Sequence, residues 1–276
     1  MKIRQIKAVY FSPVGATRTV VQTVAAAVSE KAWLPMEAVD FTLPAERTEH
    51  VRFAEDELVV FGMPTYAGRV PNKALPFVKE LFSGNGTPAI ALVTFGNRDY
   101  DSSLTELADT LGENGFRVFA AAALVSRHVF SPRVMAKGRP DESDLEMIRT
   151  FAEKAYEKLQ EAPDAQALSR PVIRNGEEVK PYYTPLGIDG LPAQFLKAKP
   201  KTDTNKCYSC RICVNTCPFG SIDQDCVSVP GLCVKCHSCV RRCPTGAKFF
   251  DDPAYLSHVK MLETNYATRT ESEMFL

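Results

Sequence analysis

The stretch Cys207-Tyr208-Ser209-Cys210-Arg211-Ile212-Cys213-Val214-Asn215-Thr216-Cys217-Pro218 decides how this chain is read. It recurs as Cys233-Val234-Lys235-Cys236-His237-Ser238-Cys239-Val240-Arg241-Arg242-Cys243-Pro244. Each copy has the spacing C-x2-C-x2-C-x3-C-P. Three cysteines so spaced wrap a tight loop whose thiolates converge on three corners of one [4Fe–4S] cube, and the fourth iron takes its ligand from elsewhere. Pro218 and Pro244 turn the chain out of each loop. Four-cysteine zinc sites also use C-x2-C pairs, but two runs of four, each closed by proline, fit them poorly. A disulfide framework needs an oxidising compartment, and the sequence shows no secretory signal peptide. Cys226 matches no ligand position and reads as a small buried side chain.

Residues 201–250 resemble a bacterial two-cluster ferredoxin. The resemblance implies that each motif lends its last cysteine to the other cluster. Cluster I would then take Cys207, Cys210, Cys213 and Cys243, and cluster II Cys233, Cys236, Cys239 and Cys217. The repeat implies a small α+β domain with an approximate two-fold, each half giving a short hairpin and a cluster loop.

The 276 residues suggest about two domains at the usual ~150 residues each. At 45% hydrophobic and 24% charged the chain is too apolar for disorder and too charged for a membrane span. Lys+Arg and Asp+Glu balance at 33 each, so charge suggests neither nucleic acid nor an anionic membrane as partner. Residues 1–206 contain no cysteine, which places a boundary ahead of Cys207.

The N-terminal part alternates strands and helices. An apolar run from Ile6 to Phe11 leads into Ser12-Pro13-Val14-Gly15-Ala16-Thr17, then a helix with Val20, Val21, Val24, Ala25 and Val28 on one face. Strand, small-residue turn and helix form a phosphate-site layout, with backbone N–H groups at the helix start and hydroxyls from Ser12 and Thr17. The same layout also serves as an ordinary helix cap. Met36–Phe41, Leu58–Gly62, Ile90–Phe95 and Phe116–Val125 read as further strands. Ser103 with Glu106, and Ser143 with Glu146, read as capping boxes of two helices. Unalternating apolar strands between helices predict an α/β fold with a doubly wound, five-stranded parallel sheet. Ligands then sit beyond the carboxyl ends of the strands.

Residues 3–160 resemble a flavodoxin, which implies non-covalent FMN. On that resemblance Ser12, Val14, Gly15, Ala16 and Thr17 form the phosphate loop. Pro64, Thr65, Tyr66 and Ala67 form the first isoalloxazine loop, and Thr94, Phe95, Gly96, Asn97 and Tyr100 the second. Tyr66 and Tyr100 would cover the ring. Pro13 and Val14 depart from the family's hydroxyl-rich turn, and Arg18 offers a compensating cation. Arg69 and Arg98 are expected in solvent, and His50, His128, His237 and His258 fit no ligand spacing.

Residues 166–200 read as a proline-rich linker that packs along a surface, and residues 126–142 as a loop bracing the second domain near the flavin. The expected division is 1–165, linker 166–200, and 201–276. The tail ends in Met274-Phe275-Leu276, an apolar segment that docks at an unidentified place. The whole resembles the ferredoxin-fused flavodoxins of anaerobes. This implies a cytoplasmic electron-transfer protein joining one-electron clusters to FMN, with redox proteins as partners, no nucleic acid and no membrane span. An FMN-dependent reductase of a small-molecule acceptor, fed by the clusters, is the alternative. No G-x-G-x-x-G supports direct nicotinamide oxidation.

Overall fold

The structure is a computed structural model describing residues 1–174, 176 and 178–276. The strands are β1 Gln5–Tyr10, β2 Met36–Asp40, β3 Val51–Phe53, β4 Glu57–Pro64, β5 Phe82–Gly84, β6 Thr87–Phe95, β7 Phe116–Val125, β8 Lys201–Thr202, β9 Lys248–Phe249 and β10 Glu273–Phe275. The helices are α1 Ala16–Ala32, α2 Leu75–Leu81, α3 Ser103–Glu113, α4 Glu142–Glu161, α5 Ile212–Asn215, α6 Ser238–Arg241 and α7 Pro253–Asn265.

The main sheet runs β10-β7-β6-β4-β1-β2. All its pairings are parallel except β10 with β7. Without β10, the parallel strands stand in the order 2-1-3-4-5 of a flavodoxin-like doubly wound sheet. β4 and β6 are buried along their whole length, which is why they read as continuous apolar runs. One face carries α1 and α4 over Ile6, Leu58, Ile90 and Phe119. The other carries α2 and α3 over Phe41, Phe61, Phe82 and Phe116. The order reverses between β1 and β4, so the ligand crevice of this topology opens at their carboxyl ends.

The sheet has six strands where the sequence predicts five. The C-terminal tail supplies the sixth, with Glu273, Met274 and Phe275 opposite Ala123, Ala122 and Ala121. It covers the edge that β7 would otherwise expose.

The two capping boxes also differ. α3 starts after Ser102, and no side chain caps it. The Glu106 carboxylate instead receives Arg69 Nε at 2.8 Å and the Val70 amide at 2.9 Å. α4 is capped by Asp141 and Asp144, each carboxylate accepting the other's amide, at 3.0 and 2.8 Å. Asp141-x-x-Asp144 is the same spacing two residues earlier, with charges better suited to the positive helix start.

The second region is small. β8 and β9 form an antiparallel ribbon, and the four-residue helices α5 and α6 follow the two cluster loops. Residues 180–183 of the expected linker lie against the sheet domain. The Tyr183 amide donates to Ala67 O at 2.8 Å, Tyr182 Oη to Val70 O at 2.9 Å, and the Lys180 amide to Ser102 Oγ at 3.0 Å. Among the described residues no helix is long and apolar enough to cross a membrane.

Candidate functional site

The two cluster loops wind alike, but the hairpin expected in each half is not found among the described residues: β8 of the first half pairs with β9 of the second. Ser209 and Arg211 in the first motif take φ of 56° and 60°. Lys235 and His237, at the same places in the second, take 56° and 61°. Left-handed residues at matched positions wind both loops alike. Cys207, Cys210, Cys213 and Cys243 surround one small cavity. Cys217, Cys233, Cys236 and Cys239 surround another. These are the crossed sets, each drawing one cysteine from the other motif. Among the described residues no three His, Cys, Asp or Glu side chains come together tightly enough for a single metal ion. The thiols of each set line a small cavity. Burial pushes the Cys213 thiol up to about 11 and Cys239 to about 12, so the unliganded thiols stay protonated near neutral pH. Cys226 is buried at the first cavity beside Cys213.

The sheet's crevice is built from the turn after β1 and the loops after β4, β6 and β7. Gly15 precedes α1 with φ 91°, a left-handed turn that suits glycine. Ser12 Oγ accepts the Arg18 amide at 2.9 Å, and Thr17 Oγ1 meets Thr94 Oγ1 at 2.8 Å. Both hydroxyls therefore shape the turn. Among the described residues the amides of Val14, Ala16 and Thr17 meet no protein acceptor. Three free donors at a helix start fit a terminal phosphate despite Pro13 and Val14. Ser12, Val14, Ala16 and Thr17 line a narrow cleft with Pro64, Thr65, Tyr66, Thr94, Phe95 and Gly96.

This cleft adjoins a cavity of about 630 Å³, within the range of small-molecule sites. Thr65, Tyr66, Ala67, Phe95 and Gly96 line it from the sheet domain, and Cys233, Val234 and Lys235 from the second cluster loop. Desolvation, followed by the nearby Cys236 and Cys233, pushes the Tyr66 phenol well up.

Two predicted ring contacts are placed elsewhere. Tyr100 is fully buried in the core against Phe95. Its hydroxyl donates to Glu273 at 2.9 Å, and Arg174 lies 4.7 Å over its ring. It cannot cover a flavin. Asn97 is 1% exposed, and its side chain is spent on the tail. Nδ2 donates to Tyr266 O at 2.6 Å and Thr268 O at 2.7 Å, while Oδ1 accepts the Thr270 amide at 3.2 Å. Arg69 and Arg98 are not free in solvent either. They pair with Glu106 and Asp101 and lie over Tyr182 and Tyr183.

Several lining residues carried no local signal. His128, Phe130, Tyr182, Tyr183, Phe195 and His258 come from three distant segments. The only hint was the excess length of the 126–142 loop and the aromatic content of the 166–200 segment. His237 is buried rather than exposed, with Nε2 3.0 Å from Tyr255 Oη.

The second cluster loop docks on the flavin-type crevice. Ser238 Oγ donates to Pro13 O at 2.9 Å, in the turn after β1. The half-buried Arg47 guanidinium donates to Pro218 O at 2.8 Å and lies 4.3 Å over Phe77. Phe219 packs on Phe11 and Phe77. On the first set, Cys210 and Tyr208 are exposed.

Fold and site thus define a flavodoxin-like α/β unit joined to a ferredoxin segment with two four-cysteine pockets. Residues 200–223 and 227–249 match the 4Fe-4S binding domain family. No curated protein matches the chain by sequence. Among solved structures it is similar to flavodoxin 2 from Bacillus cereus, at 16% identity over 56% of this chain and 99% of that one, TM-score 0.41. It is also similar to a flavodoxin from Archaea, at 13% identity over 56% and 99%, TM-score 0.36. A third is the rubredoxin:oxygen oxidoreductase of Desulfovibrio gigas, at 15% identity over 58% of this chain and 37% of that one, TM-score 0.35. The strand order, not these likenesses, carries the fold assignment.

Proposed function

We propose that the chain carries two [4Fe–4S] clusters and one non-covalent FMN, and moves electrons between an external redox protein and the flavin by way of the clusters. One observation carries this reading: the second cluster loop and the two isoalloxazine-type loops line the same cavity. Bound FMN would supply two-electron capacity, against the single electrons of each cluster. Val14, Ala16 and Thr17 would hold its phosphate through their amides, and Tyr66 and Gly96 would flank its ring. Of the two sets, only the one completed by Cys217 contributes a cysteine, Cys233, to the lining of this cavity. Cys210, exposed on the outer set, faces an incoming partner.

The cavity favours the reductase form of this reading. Residues 128–130, Tyr182, Tyr183, Pro185, Phe195 and Leu196 line the same cavity as the ring loops, an enclosed setting that suits a small acceptor beside the flavin. The composition test is direct. Anaerobically isolated protein should contain about eight irons and eight acid-labile sulfides, two cubes of four, with FMN as the released flavin. Stoichiometric zinc, or a flavin containing AMP, contradicts the reading.

A further inference from the structure

The large cavity holds two histidines whose protonation is set by geometry. His128 Nδ1 lies 3.1 Å from the Phe130 amide, an N–H that can only donate. Nδ1 must therefore accept, and in the neutral ring the proton sits on Nε2. His258 Nδ1 lies 2.8 Å from Leu186 O, a carbonyl that can only accept. Its proton is on Nδ1, and Nε2 carries the lone pair. Among the described residues neither Nε2 meets a protein group. Burial pushes His128 down to about 3 and His258 down as well, so both rings are neutral near pH 7.

The other groups narrow the ligand further. Arg98 is paired with Asp101, and Asp99 with Arg174 at 3.1 Å. Lys235 Nζ donates to Leu196 O at 2.8 Å. Lys73, which also lines the cavity, is exposed, and neither Lys73 nor Lys235 meets a carboxylate among the described residues, so the charge left over is cationic. The walls are flat, with Tyr66, Phe130, Tyr183 and Phe195, and Leu196, 92% exposed, stands at the mouth. Such walls favour a planar body stacked on aromatics. The one neutral donor fixed by geometry, His128 Nε2–H, calls for an acceptor oxygen on that body.

We propose that this cavity binds a planar, conjugated carbonyl compound of the quinone or cyclic-enone class, with His128 Nε2 donating to its carbonyl oxygen. This rests on the reading that a flavin ring on the Tyr66 and Gly96 loops leaves the remainder of the cavity open. A neutral imidazole donor polarises a carbonyl without placing a full charge in an apolar site.

The test is calorimetric titration of the oxidised holoprotein, under anaerobic conditions, with coumarin and with 2H-chromene, which has the same fused rings and lacks the carbonyl. Wild type is expected to bind coumarin about tenfold more tightly than 2H-chromene, the effect of one hydrogen bond. In His128→Phe coumarin affinity should fall to the level of 2H-chromene, which itself should not change. Equal binding of the two probes by wild type overturns the proposal without any variant. So does a His128→Phe protein that releases its flavin and still prefers coumarin, because His128 then serves the flavin. Flavin content is measured on every sample. Wild type with no flavin refutes the FMN reading separately, while the probe comparison still reports on His128.

Discussion

Replacing Asn97 by alanine should release the C-terminal tail. Three hydrogen bonds disappear, from Nδ2 to Tyr266 O and Thr268 O and from the Thr270 amide to Oδ1. At about 1 kcal/mol net for each, this removes about 3 kcal/mol. Asn97 also has φ 72°, where a β-carbon without a polar side chain costs roughly 1 kcal/mol more. Opening of the 266–276 segment should therefore become easier by about 4 kcal/mol, the sum of those two effects. Hydrogen-exchange mass spectrometry of that peptide reads the change directly, as protection falling by more than about a hundredfold at 1.4 kcal/mol per decade. Asn97→Gly should recover roughly 1 kcal/mol of the loss by removing the φ cost. If Asn97→Ala changes protection less than about tenfold (1.4 kcal/mol), the tail is held by β10 pairing and by the hydrogen bond from Arg139 Nη1 to Thr270 O at 2.8 Å, and the reasoning fails.

Cys217→Ala should remove the centre held by the second motif and spare the first, and Cys243→Ala should do the reverse, as resolved by electron paramagnetic resonance of the reduced protein. Loss of the centre in each mutant's own motif refutes the crossed sets. Cys226→Ala should retain both centres with unchanged iron content. Folding should weaken as pH falls. His128 and His237, held down to about 3 and about 4 chiefly by burial, bind no proton when folded near pH 5 but do so when unfolded, below about 6.5. Their contribution is complete above pH 6.5 and declines toward pH 4. The urea midpoint, followed by flavin release, should drop across that window, and a flat profile contradicts the burial of these rings.

What could be read from the chain was local. The three-cysteine loops follow from spacing within each motif, the crossing of the fourth cysteine from the resemblance to two-cluster ferredoxins, and the turn at Gly15 from a strand and a helix within a few residues. The buried strands β4 and β6 show themselves as apolar runs. Asn97 and Tyr100 were misplaced for a common reason: their partners, Tyr266 to Thr270 and Glu273, lie far along the chain. A polar loop residue beside a ring site looks the same whether it faces a ligand or ties down a tail. β10 was hidden because three residues carry no period, and its pairing depends on an edge built from residues 116–125. The histidines fit no ligand spacing, yet His128, His237 and His258 gather around Phe130 because three separate segments cross there.

In the proposed route electrons reach the flavin through the second cluster, whose loop bonds the turn after β1 through Ser238 and lines the cavity with Cys233 and Lys235. Anaerobic stopped-flow reduction by a one-electron donor protein, at rising ionic strength, tests it most directly. Bleaching of the clusters reports the external step, and bleaching of the flavin the internal one. Salt should slow the first, because partners meet through screened surface charges. The second should stay nearly constant in wild type, because the domains are held in contact at high effective concentration, and should be lost in Cys217→Ala. Flavin bleaching that slows with salt as steeply as cluster reduction, or that proceeds at the wild-type rate in Cys217→Ala, contradicts the account.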